Sequence, residues 1–230
     1  SYLGFIWTLL APMLHYIVMG LVFTMILKST VENYFIYYFS GALFFSLVSS
    51  VLTRAPGLFL VNEHFIKKVA VPKLTFVLNG VAYEFVTFLL SGAALVFLGL
   101  ISGKMILSLS IFSSFTTLVM VFFFLMGLSC GVSIATVYFR DLSHIIPVIL
   151  QALFFITPII YTIDMAPPRF HFLFEMNPLY YFVECFRLPI LTGHSAPLNF
   201  HLICFGISAL SLALGFALIQ KFENRIVFKL

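Results

Sequence analysis

The chain has 230 residues, 62% of them hydrophobic and 9% charged, with a formal net charge of +4. Soluble domains carry about 45–50% apolar and about 25% charged residues, so a soluble globular domain is excluded and a multi-span membrane protein is left. The 12 Lys/Arg against 8 Asp/Glu are scattered between apolar runs rather than gathered on one face. They therefore read as membrane topology, and no nucleic-acid partner is expected.

In chain order, the opening SYLGFIW has no basic n-region and no small-residue cleavage site, so no signal peptide is expected. A chain that starts on Ser1 rather than Met is read as incomplete at its N-terminus. Six apolar segments are long and uncharged enough to be helical spans: 4–27, 34–52, 74–101, 105–137, 145–161 and 200–219. Runs of this kind exclude barrel strands, which alternate over about 10 residues. The expected fold is all-α, one membrane domain over residues 1–230 with six transmembrane helices. In the first span His15, beside Tyr16 and three residues after Pro12, is either a satisfied structural histidine or a residue facing a pathway.

The connections 28–33 and 102–104 are short and predict antiparallel hairpin partners. Connection 53–73 is long and holds Arg54, Lys67, Lys68 and Lys73. Glu84 is the one carboxylate inside a span, and is open to a proton-coupling role or to a structural one as a neutral or paired group. GLISGKM, residues 99–105, fails as a phosphate loop, because it has three residues between its glycines where four are needed and Met105 in place of Ser or Thr. ATP hydrolysis by this chain through a P-loop is thereby excluded. Gly127 and Gly131 have the spacing of a close helix contact. At the end of the fourth span, YFRD places Arg140 to anchor the membrane interface and Asp141 to cap the next helix.

Region 162–197 holds two apolar patches, 170–176 and 179–190, too short to span and separated by Asn177-Pro178. Re-entrant half-helices and an ordinary amphipathic loop helix both fit this pattern. Glu184 and Arg187, three apart, form either an ion pair or a solvated face. Asp164, His171, Glu175 and His194 lack the spacing of a metal site or of paired catalytic carboxylates, and Cys130, Cys185 and Cys204 have no metal-like spacing, so no metal and no enzyme activity are expected. With six spans, eight Lys/Arg (Arg54, Lys67, Lys68, Lys73, Arg140, Lys221, Arg225, Lys229) fall on one side and four (Lys28, Lys104, Arg169, Arg187) on the other. The positive-inside rule then puts both termini in the cytoplasm.

Three stretches together resemble the membrane permeases of ATP-binding-cassette exporters for bacterial cell-surface polysaccharides, the type-2 exporter family. They are YLGFIWTLLAPML (2–14), NEHFIKKVAVPKL (62–74), and VYFRDLSHIIPVILQALFFITPIIY (137–161) continuing into NPLYYFVECFR (177–187). The resemblance covers essentially the whole chain. It implies six helices with re-entrant elements before the last, a homodimer, two copies of a separate ATPase subunit that binds ATP and Mg, and an inner-membrane location. It also implies export of a lipid-linked polysaccharide, such as O-antigen or capsule. Teichoic acid, lipid or drug export by the same family, and ion-coupled secondary transport through Glu84, are the alternatives. Family members usually begin with an interfacial helix that this chain lacks.

By the same resemblance, the loop after the second span carries a coupling helix docking on the ATPase. The local sequence suits that role: Phe65, Ile66 and Val69 are read as one apolar stripe, Lys67 and Lys68 as reaching an acidic surface or membrane lipid phosphates, and Pro72 as the helix stop, with Asn62 and Lys73 at the ends. A purely lipid-anchored basic loop is the other reading. A path between protomers is implied along the first and fifth spans, with Phe5, Trp7, His15, Tyr16, Phe23, Phe154, Phe155 and Tyr161 as lining candidates. The outer gate falls to the half-helices with Asn177, Pro178, Glu184 and Arg187.

Overall fold

In a computed structural model the described residues are 14–15, 17–23, 25, 33–69, 71–101 and 108–229, and every regular element among them is helical. Residues 17–23 are helical and precede α1 (Tyr34–Arg54), α2 (Gly57–Val61), α3 (Glu63–Lys68), α4 (Leu74–Ile101) and α5 (Ile111–Tyr138). There follow α6 (Leu142–Ile156), two 3-10 turns (Ile163–Met165 and Pro168–Phe170), α7 (His171–Glu175), α8 (Pro178–Thr192) and α9 (Leu198–Lys229).

Among the described residues four stretches are long and apolar enough to cross a membrane: Tyr34–Arg54, Leu74–Ala93, Ile111–Tyr138 and Leu198–Glu223. They correspond to the segments expected at 34–52, 74–101, 105–137 and 200–219. The first of them is mostly buried within the protein and the last mostly exposed, so α1 is a core helix and α9 presents most of its apolar surface outward. α9 also continues past the expected end through QKFENRIVFK, a stretch with no Gly or Pro to stop it. The expected span 4–27 lies mainly outside the described residues, as do Phe5, Trp7, Tyr16, Lys28 and the SGKM part of GLISGKM.

The segment expected at 145–161 differs. Its helix, α6, starts earlier and stops at Ile156, because Thr157 precedes Pro158 and a residue before proline is pushed out of the helical region. Fifteen helical residues rise about 22 Å, less than the about 30 Å of a hydrocarbon core.

The chain forms two compact units. One contains the described residues of Ser1–Ser46, Val86–Thr117 and Phe154–His201. Its core is aromatic, with Tyr38, Phe39, Phe44 and Phe182 fully buried and the rings of Phe44 and Phe88 set against Phe186 at 5.5 and 5.8 Å. Ser114 Oγ donates to the Phe186 carbonyl at 2.9 Å, and Ser108 and Ser110 donate to the Gly193 carbonyl at 2.9 and 2.8 Å. Gly193, at φ 70°, closes α8 in the left-handed conformation that glycine accepts without strain.

The other unit contains the described residues of Leu47–Phe85, Leu118–Leu153 and Leu202–Leu230, with Leu47, Phe59, Leu125 and Ile226 fully buried. In it α5 and α9 meet backbone to backbone. A Cβ on Gly127 would collide with the Ser211 carbonyl, and one on Gly215 would lie 2.5 Å from the Gly127 carbonyl. Ser211 Oγ donates to the Phe124 carbonyl at 2.8 Å across the same crossing. The close contact expected from Gly127 is therefore present, whereas Gly131 only meets Leu218 at ordinary van der Waals distance, 3.7 Å.

Candidate functional site

Between α1 and α4 the sequence places three helix-breaking features, Ala55-Pro56-Gly57, Asn62 and Pro72. The structure accordingly makes two short helices, α2 and α3. Asn62 stands between them, its side-chain amide donating to the Leu58 carbonyl at 2.8 Å and its own carbonyl accepting from the Phe65 and Ile66 amides at 3.0 Å. α3 ends at Lys68, and Val69 is already extended at φ −127°. The stop therefore falls before Pro72 rather than at it, and Val71, the residue before that proline, lies outside any helix.

The expected apolar stripe is corrected in one member. Ile66 is buried against its own unit, while Phe65 and Val69 are 64% and 50% exposed, joined by Val61 at 84%. Adjacent residues on a helix point about 100° apart, so Phe65 and Ile66 cannot share a face. Lys67 pairs with Glu63 one turn away at 2.6 Å, and that bond holds the Glu63 carboxyl below the usual carboxylate range, with Arg140 adding in the same direction. Because that pKa is lowered, the pair is intact at neutral pH and is lost only as pH falls through it. Lys68 is exposed beside it.

This loop is rooted at three points within its unit. Arg54, at the end of α1, donates to Glu84 Oε1 of α4 at 2.5 Å and stacks over Tyr83 at 4.5 Å. Ser133 of α5 donates to the Ala55 carbonyl at 2.8 Å. Lys73 lies 3.9 Å from Glu223 of α9. Glu84, open in the sequence to being neutral or paired, is paired with Arg54. Its partner was missed because Arg54 lies 30 residues earlier, with no periodicity to connect them. At the α5–α6 junction Asp141 occupies the N-cap position, its carbonyl accepting from the His144 and Ile145 amides at 2.9 and 3.1 Å, and Arg140 is exposed.

In the aromatic unit, α8 begins as Asn177-Pro178 dictates. The Asn177 side chain accepts from the Leu179 amide at 3.0 Å, and Pro178 sits in the first turn, where a missing N–H costs nothing. Glu184 and Arg187 do form an ion pair, at 3.0 Å, with Arg187 1% exposed. Of the pathway candidates, Phe154 packs on Phe45 at 5.2 Å and on Phe155 at 5.6 Å, and Phe155 is 60% exposed. Tyr161 donates to the Phe155 carbonyl at 2.5 Å and meets the Phe174 ring at 5.9 Å, so these three are brought together. Phe23 rests instead on Tyr38 at 6.1 Å, and His15 is exposed.

Comparison with known proteins gives the family. The O-antigen export system permease protein RfbA of Klebsiella pneumoniae is 25% identical over 194 residues, 84% of this chain and 74% of that protein. The protein of the same name from Myxococcus xanthus is 27% identical over 228 residues, 98% and 86% of the two chains. The polysialic acid transport protein KpsM of Escherichia coli is 22% identical over 198 residues, 84% and 75%. The family model described as ABC-2 type transporter matches residues 1–191. By that match the chain belongs to the ABC-2 type transporter family, and is a membrane component of a transporter rather than its catalytic part.

Proposed function

We propose that this protein is the membrane subunit of an ATP-driven exporter that moves a lipid-linked cell-surface polysaccharide, O-antigen or capsule, across the bacterial inner membrane. The names of the three relatives, two O-antigen export permeases and a polysialic acid transport protein, support the substrate class. The observation that carries the mechanism is the loop between α1 and α4. It exposes Val61, Phe65 and Val69 beside Lys67 and Lys68 while being tied to α4, α5 and α9. An exposed apolar cluster rimmed by charge is the composition of a docking surface, and the rooting converts movement of that surface into movement of helices. In this reading α3 is the coupling helix, two copies of an ATP-binding-cassette ATPase holding ATP and Mg dock on two copies of this chain, and both termini are cytoplasmic. α7 and α8 form the re-entrant outer gate, and Phe154, Phe155 and Tyr161 belong to the path.

The test is export in a strain deleted for the permease. The wild-type chain should restore surface polysaccharide. A Lys67→Glu, Lys68→Glu double variant should insert normally yet lower export and permease-stimulated ATPase by about tenfold, the equivalent of about 1.4 kcal/mol of docking energy. Unchanged export and stimulation in that variant would remove the coupling role.

Glu84→Gln separates this reading from ion-coupled transport. The carboxylate is engaged by Arg54, which is 46% exposed and stays hydrated without it, so ATP-driven export is expected to persist. Complete loss of transport in a folded Glu84→Gln variant that also fails to bind an ATPase would favour the ion-coupled alternative.

A further inference from the structure

Between Ile156 and Ile163 the chain has no regular element, although Thr157 and Ile159 are fully buried. Side chains from two helices attend this stretch. Tyr34 donates to the Ile160 carbonyl at 2.6 Å. Tyr37 donates to the Tyr161 carbonyl at 2.8 Å and lies 3.2 Å from that of Pro158. Arg187 Nη2, from α8, also donates to the Pro158 carbonyl, at 3.0 Å, and Asn177 Nδ2 donates to Thr157 Oγ1 at 2.8 Å. The guanidinium lies 3.8 Å over the Tyr37 ring, and its Nη2 occupies the space that a Cβ on Gly41 would need.

Packing alone does not account for this set. Phenylalanine would fill the tyrosine positions equally well, and a buried arginine is costly unless its hydrogen bonds matter. Irregular backbone at membrane depth persists only where its carbonyls find partners inside the protein. Here three successive donors, Tyr34, Tyr37 and Arg187, supply them, while Arg187 Nε has no acceptor among the described residues. The guanidinium is thus held by bonds to one carbonyl and one carboxylate, enough to fix it in place and short of full satisfaction.

We propose that Arg187, Tyr37 and Tyr34 are positioning residues that clamp the broken end of α6 and the gate helix α8 onto the start of α1, holding the outer mouth closed at rest. The clamp rests on the reading of α8 as the gate. It assigns work to Tyr34 and Tyr37 of α1, which no motif in the sequence marks.

The experiment is passive efflux of carboxyfluorescein from proteoliposomes containing the full-length permease with its ATPase partner, without nucleotide. Tyr37→Phe keeps the ring under Arg187 and removes only the hydroxyl. Gly41→Ala removes no polar group and displaces the guanidinium. Each is expected to raise efflux about fivefold, the shift in a closed-to-open ratio produced by losing one ordinary hydrogen bond. Tyr34→Phe, which loses only the Ile160 bond, serves if Gly41→Ala fails to fold. Elution as the intact complex with wild-type efflux in the folded variants overturns the clamp. Polysaccharide export measured in cells with the same variants tells the two ideas apart. Unchanged efflux with normal export removes the clamp alone, whereas export that never depends on the permease removes the exporter reading on which the clamp stands.

Discussion

Arg187→Ala is expected to lower the thermal midpoint of the detergent-purified permease by about 10 °C, from a loss of about 3–5 kcal/mol at about 2–4 °C per kcal/mol for a chain of this size. The size of the effect follows from what stays behind. Glu184, 16% exposed, loses its ion partner, the Pro158 carbonyl loses a donor, and the face of Tyr37 is left over an empty volume. Removing one member of a buried pair leaves a desolvated charge, which costs more than the pair contributed. Replacing both, as Arg187→Met with Glu184→Leu, should recover much of the loss in stability, because two apolar side chains leave no orphaned charge. It should not restore a closed gate, because the Pro158 carbonyl still lacks its α8 donor. Scanning fluorimetry of the three proteins reads this directly, and a midpoint within about 2 °C of wild type for Arg187→Ala would contradict the buried pair.

Gly127→Val should be as damaging by a different route, and the contrast with Gly206→Ala makes the cause readable. The β-carbon of a valine at 127 lands on the carbonyl carbon and oxygen of Ser211. Those are backbone atoms and cannot rotate aside, so α5 and α9 must part, forfeiting the Ser211–Phe124 hydrogen bond and the contact of Gly215 with Gly127. Helices in lipid associate by such close packing rather than by hydrophobic burial, and overpacking a fitted contact costs about 1–3 kcal/mol or more. Membrane-inserted Gly127→Val permease should fall several-fold in immunoblots and aggregate on detergent extraction. On the same helix as Ser211, Gly206 meets nothing within 4 Å, so Gly206→Ala should be neutral or slightly stabilising through helix propensity. Equal behaviour of the two variants would show that the crossing is not tight.

The sequence made local features legible and left distant pairings hidden. Asn177-Pro178 marked the start of α8, and the three-residue spacing of Glu184 and Arg187 anticipated their ion pair, because both signals operate within one helical turn. The long apolar runs at 34–52, 74–101, 105–137 and 200–219 marked four of the spans for the same reason. Arg54 with Glu84, Lys73 with Glu223, and Tyr34 and Tyr37 with the carbonyls of 158–161 bring together residues 30 to 150 positions apart. No period or motif records such contacts. Gly127 pointed to a close helix contact but could not name α9 as its partner. The end of α6 was misread because ITPIIY is as apolar as a span, and hydropathy does not register that Pro158 halts the helix. The spacing i, i+1, i+4 put Ile66 on one stripe with Phe65 and Val69, but helix geometry sets it apart from Phe65 and it is buried.

The three roots of the α1–α4 loop bear on modularity. A segment hanging from two helix ends could be exchanged between related permeases as a cassette, carrying its choice of ATPase with it. Residues 55–73 are instead bound to Ser133 and Glu223, and their base is fixed by Glu84. A chimaera that transplants the loop alone would bring the proposed docking face without the side chains that root it. On the proposed coupling, partner choice would change hands in such a protein, and transport would not follow until positions 133 and 223 were exchanged with it.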